Sequence, residues 1–213
     1  MSQLEYLIAF VSIIVGLGLT DLARSLRELV RPGRPVLPLA WAAIVFLLVL
    51  QVWWQAFRFL RDEVLAHVAA FAPVLLGFLL LYLLCAFALP DPERATWRVV
   101  TSPEEESEAG GGDGDVLDLK AFYFSGAHRR WFFGTFIGLL GASQLFNVAK
   151  WGTQREVAIT TARLVQNAGV NVGIIAVLTG LIVTDRRWVH GATTLLVTGV
   201  LVYTLLVGIP AIG

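Results

Sequence analysis

Eleven side chains that hydrogen-bond or titrate stand inside, or at the edges of, long apolar stretches: Glu5, Gln51, Gln55, His67, Gln144, Asn147, Lys150, Arg163, Gln166, Asn167 and Asn171. Their spacing is helical. Gln51 and Gln55 are four apart and share one face, as do Gln144 and Asn147 at three apart. Arg163, Asn167 and Asn171 descend a third face at spacing four. An amide facing hydrocarbon without a partner costs free energy, so several of these faces should meet. Two chemistries fit. The amides can bond helix to helix, each contributing about 0.6–2 kcal/mol. Alternatively they line a polar vestibule, open on one side of a membrane and closed below, that takes a hydrogen-bonding solute. The charged set Glu5, His67, Lys150 and Arg163 exceeds what amide pairing alone requires.

Other chemistries find little support. Cys85 is the single cysteine, so thiol–disulfide exchange lacks its second thiol, and a small core residue is expected there. Haem b needs paired axial ligands. His128 and His190 fall at one level and His67 at the opposite one, but each flanks or starts a span, so surface histidines are expected. No HExxH, P-loop or GxSxG occurs, and the expectation is no catalytic site, metal or cofactor. Asp21 with Arg24, and Asp185 with Arg186 and Arg187, read as pairing charges near span ends.

The elements that must position these residues follow from composition. Of 213 residues, 57% are apolar and 15% charged, against about 45–50% and about 25% in soluble domains. That departure points to a bilayer as solvent. Net charge is zero and no basic stripe occurs, which argues against nucleic acid as a partner. A spanning helix needs about 20 mostly apolar residues. Five stretches qualify: about 36–57, 64–88, 131–149, 161–184 and 188–209. A sixth helix is expected over about 4–31, with 4–21 in the membrane and the last turns leaving it before Pro32-Gly33. Residues 1–5 hold no Lys or Arg, so a cleaved signal peptide is not expected there. The expected fold class is therefore all-α: one polytopic membrane helical bundle of about six spans.

Lys and Arg in the connections set orientation. Arg24, Arg27, Arg31, Arg34, Arg94, Arg98, Lys120, Arg129, Arg130, Arg186 and Arg187 fall on one side, against Arg58, Arg61, Lys150, Arg155 and Arg163 on the other. The richer side is expected to be cytoplasmic, with both termini outside. From Asp91 to Asp118 nine acidic residues face two arginines, with Glu104-Glu105-Glu106 and Gly110-Gly111-Gly112 in the middle. Residues 101–114 are expected to form a disordered acidic cytoplasmic loop. Residues 116–130, rich in aromatics and ending in His128-Arg129-Arg130, are expected to anchor at the headgroup level.

Helices in lipid associate through small residues and hydrogen bonds. Gly134 and Gly138, and Gly169 and Gly173, form two GxxxG pairs, which are candidate faces for a homo-oligomer. Thr193, Thr194, Thr198 and Thr204 can bond back along their own helix.

Two stretches resemble a group of bacterial integral membrane proteins with no established activity. They are Glu5-Tyr6-Leu7-Ile8-Ala9-Phe10-Val11-Ser12-Ile13-Ile14-Val15-Gly16-Leu17-Gly18-Leu19-Thr20-Asp21-Leu22, and Asp118-Leu119-Lys120-Ala121-Phe122-Tyr123-Phe124 followed by His128-Arg129-Arg130-Trp131-Phe132-Phe133-Gly134. With Trp53-Trp54 they cover about a sixth of the chain. The resemblance implies a multi-pass protein of the bacterial inner membrane and carries over no functional residue. Two functions are expected to compete. One is a small transporter or channel-like protein with an outward polar vestibule. The other is a non-catalytic membrane scaffold or sensor that contacts a protein partner through its cytoplasmic loop.

Overall fold

The computed structural model describes residues 3–29, 36–59, 68–90, 119–153 and 161–208, with side chains described over 5–27, 36–56, 71–90, 119–149 and 168–205. Every regular element among them is a helix: α1 (Gln3–Leu29), α2 (Val36–Phe59), α3 (Val68–Ala88), α4 (Leu119–Phe124), α5 (Gly126–Thr153), α6 (Thr161–Val183) and α7 (Arg187–Gly208). Five of them, α1, α2, α3, α5 and α7, are long and apolar enough to cross a membrane, and α6 carries a shorter apolar stretch over Ala168–Val183. Only 22–33% of each five-helix window is buried inside the protein. The exposed remainder includes Phe10, Ile13, Leu17, Leu79, Leu145, Val172 and Leu195. Apolar surface on that scale is stable in lipid and would associate in water. The acidic segment 101–114, His67 and the chain termini lie outside the described residues.

Contacts fix the direction of the long helices from α2 onward. Trp41 of α2 meets Phe132, Phe133 and Phe136 of α5 at ring centroids of 5.7, 5.1 and 6.3 Å, early in both helices. Gln51 of α2 reaches Thr204 of α7, late in both. Helices α2, α5 and α7 therefore run the same way, away from the end occupied by α4. On α3, Phe87 faces Trp131 of α5 and Leu80 faces Gly138, so α3 runs back toward α4. Helix α1 packs on α3, with Gly18 against Tyr82 and Cys85. Arg129 at the start of α5 bonds Thr184 just past the end of α6, so α6 also runs toward α4. From α2 onward the long helices thus alternate in direction along the chain. The last residues of α7 lie at the end opposite α4.

The six long helices form a ring of neighbours, α1–α3–α5–α6–α7–α2, with α2 also touching α3. The α3–α5 interface is the most extensive. It is built by leucine against glycine: Leu80 covers Gly138, whose Cβ would sit 3.5 Å away, and Leu139 covers Gly77. Gly138, expected on an oligomer face, is thus taken up within the chain. A Cβ on Gly134, Gly169 or Gly173 would meet nothing within 4 Å. Gly18 permits the closest approach of α1 to α3, since a Cβ there would lie 3.3 Å from Cys85 Sγ and 3.5 Å from the Tyr82 backbone. Cys85 is buried, as a small core residue should be.

Candidate functional site

The heaviest buried side chains gather at the α4 end. Trp41, Tyr123, Phe132, Phe133, Leu119 and His190 are each at most 1% exposed. Local sequence explains how they arrive there. Leu119 and Tyr123, four apart, form the buried face of the short α4. Ser125 then breaks the chain and caps α5: its hydroxyl accepts the His128 N–H at 3.2 Å and its carbonyl accepts the Arg129 N–H at 3.1 Å. On the other side Thr184 closes α6, and its hydroxyl accepts the Arg186 N–H at 3.4 Å. The Arg186 carbonyl accepts the N–H groups of Val189 and His190 as α7 begins.

These two corners meet in one hydrogen-bonded network. The Thr184 carbonyl accepts Arg129 Nη1 at 2.7 Å and His190 Nε2 at 2.9 Å. A carbonyl can only accept, so Nε2 carries the proton. In the neutral imidazole Nδ1 is then an acceptor, and it takes the Tyr123 O–H at 2.9 Å. Arg129 also pairs with Asp185, whose carboxylate is largely exposed. His128 stacks on Phe132 at 5.4 Å and 12°. Burial pushes the Tyr123 phenol above its usual range, with the Trp41 indole and the Arg129 charge pulling the other way. Trp41 Nε1 and Arg129 Nε are buried without a well-formed hydrogen bond among the described residues.

His128 and His190, expected on the surface from their places beside the spans, are instead buried, at 7% and 0% exposed. Asp185 likewise pairs across to α5 instead of only with its arginine neighbours. The signal that could have found the site was the coincidence of two histidines and one tyrosine at a single level. Both nitrogens of His190 are engaged by Tyr123 and Thr184, so axial ligation of a haem would first have to break one of those bonds. Residues 119–130 lie at the end of the bundle, as a headgroup-level segment would, yet Leu119, Tyr123, His128 and Arg129 are buried in protein.

A first expected outcome belongs to this network. Tyr123→Phe removes the donor and strands a buried acceptor, His190 Nδ1. The variant should lose about 1–3 kcal/mol in reversible unfolding from mild detergent. A loss below about 0.5 kcal/mol would show that the bond is dispensable.

The opposite half holds Gln51, Gln55, Gln144, Asn147 and Asn171 of the expected polar residues. Gln51 Nε2 donates to Thr204 Oγ1 at 3.0 Å, and Thr204 itself donates to the Leu201 carbonyl at 2.9 Å. Thr194 and Thr198 likewise bond back to the carbonyls of His190 and Thr194 at 2.7 and 2.8 Å. Gln51 Oε1 and Gln144 Nε2 are buried with no partner among the described residues. They lie about 12 and 14 Å inside the helix ends at Phe59 and Thr153, at 1.5 Å per residue. Gln55 is exposed and lines, with Ser143, a cavity of about 210 Å³ between α2, α3 and α5. Its other walls are apolar, among them Leu48, Val52, Pro73, Val74, Phe78, Leu139 and Phe146. Small residues where three helices converge, Gly77, Ala142 and Ser143, leave that space open.

Asn147 and Asn171 are half-buried. The antiparallel register set by Arg129 and Thr184 brings Asn171 level with Ala142, two residues from Gln144. Glu5 is exposed on the first described turn of α1. The side chains of His67, Lys150, Arg163, Gln166 and Asn167 lie outside the described residues. Gln51, Gln55 and Gln144 thus share one half of the bundle with the cavity, while Thr204, unremarked as a partner, is what Gln51 bonds. Comparison with protein-family models, with curated proteins and with solved structures finds no match for this chain.

Proposed function

We propose that the chain is a six-span protein of a bacterial inner membrane, with both termini outside. In this reading it admits a small uncharged hydrogen-bonding solute into the half of the bundle away from α4. The observation that carries the reading is the pair of buried, unpartnered amide atoms, Gln51 Oε1 and Gln144 Nε2, in the half that also holds the cavity beside Gln55 and Ser143. Buried polar atoms in folded proteins have partners, from protein or from water. Two unpaired amide atoms at similar depth therefore call for water or a ligand. The aromatic cluster around Trp41 and the Tyr123–His190 network close the other end, which is the arrangement of a vestibule open on one side only. Alternating helix direction supports six passes, and the excess of Lys and Arg at the α4 end supports a cytoplasmic α4.

A second reading has its own observation. The Gln51–Thr204 bond is amide pairing of the kind that holds a dry bundle together. It favours a scaffold or sensor that contacts a protein partner through the acidic connection.

Gln144→Leu separates the two. Where the region is dry, Nε2 is an uncompensated donor, and its replacement by an apolar side chain of similar size should stabilise the fold by about 1–3 kcal/mol. Where water or solute satisfies it, there is no penalty to relieve. The proposal expects no stabilisation in reversible unfolding of the reconstituted protein. A clear gain would favour the scaffold.

A further inference from the structure

Beside the Tyr123–His190 network the protein surface opens into a recess of about 470 Å³. It lies between α4 and the α6–α7 turn, and its walls are Lys120, Ala121, Phe124, Arg129, Asp185 and Arg187. Among the described residues three cations and one carboxylate line it, and that carboxylate is paired with Arg129. Arg187 is also the first residue of α7, so the positive end of a 22-residue helix dipole is directed at the same space. Phe124 and the exposed Ala121 supply its apolar wall, and Arg129, buried, is the deepest of its cations. The recess therefore combines cationic and apolar walls.

The level of the recess in the bundle says which anion fits. Trp131 and Trp188 stand at the same end and are 67% and 69% exposed. Exposed tryptophans at the ends of apolar helices mark the headgroup region of a bilayer. Basic pockets between helices at that level, on the side rich in Lys and Arg, are suited to anionic lipid headgroups. We infer that this recess binds the phosphodiester headgroup of an anionic phospholipid, with Lys120 and Arg187 on the phosphate and Phe124 against the first methylenes. Arg129 acts by neutralising Asp185, which would otherwise repel the phosphate. The inference rests on the membrane reading of the long helices and is independent of the vestibule in the opposite half.

The test uses the full chain in neutral phosphatidylcholine nanodiscs or mixed micelles, with phosphatidylglycerol titrated in and thermal unfolding as readout. The wild type should be stabilised by phosphatidylglycerol, and neither further phosphatidylcholine nor inorganic phosphate should reproduce the effect. The double variant Lys120→Gln/Arg187→Gln should bind phosphatidylglycerol about 30-fold more weakly, from the usual contribution of two cations near an anionic surface. Arg187→Lys should retain most of the response. Arg24→Gln/Arg27→Gln, which removes cations of α1 toward the same end, should respond as the wild type does. Unfolding of each variant in neutral lipid alone reports whether its fold is intact. An equal response in wild type and the Lys120/Arg187 variant would overturn the inference. So would an equal response to inorganic phosphate, which would make the ligand a soluble anion. A response that emerges only after deletion of Pro103–Gly114 would also overturn it, by making the chain's own acidic segment the occupant.

Discussion

Replacing Trp41 with alanine should lower the stability of the folded bundle by about 3 kcal/mol, the largest single-residue loss expected in this chain. Trp41 is 1% exposed and meets Phe132, Phe133 and Phe136 edge to face, with interplanar angles of 80–83°. Such pairs add about 0.5–1.5 kcal/mol beyond area burial. In a water-soluble core the same truncation costs about 3–5 kcal/mol. Lipid tails are as apolar as leucine, so the transfer part shrinks and the lost packing remains, which sets the lower end of that range. Trp41→Phe keeps a ring in the same slot and should cost less than about 1.5 kcal/mol. Reversible unfolding in mild detergent measures both. If Trp41→Ala were no more costly than Trp41→Phe, the aromatic cluster would not hold the α4 end closed.

That closure was only partly legible in the sequence. The all-helical class and the long apolar helices followed from run length, because a stretch of about 20 apolar residues has few other stable solutions. The threonines of α7 bond back along their own helix because local geometry dictates it. His190 was not legible in the same way. Its position near the start of a span is where polar residues normally meet water, and hydropathy carries no information about a cover. The cover is α4, and the bond that fixes it joins residues 67 apart in sequence. The amide faces of the other half were readable as faces. Their partners were not: Gln51 pairs with Thr204 of α7, a helix whose hydroxyls had an adequate local account. Similarly, Gly138 carried the sequence signature of a contact face, but no spacing rule says whether the contact lies within one chain or between two.

The second large effect is one of access: water enters the half of the bundle holding Gln144 and does not enter the interior beneath α4. Single cysteines at 144 and 194 are placed in a Cys85→Ser background and the protein is reconstituted in sealed vesicles. Ser2→Cys and Ser107→Cys report which side of the membrane is which. A small, hydrophilic, membrane-impermeant thiol reagent is then applied to each side in turn. Gln144→Cys should label from the side on which Ser2→Cys labels, although it lies about 14 Å inside the helix end. Thr194→Cys, one turn beyond His190 in the closed end, should label from neither side. Protection of residue 144 from both sides, or its labelling from the side of residue 107, would mean that no vestibule opens on the side of residue 2.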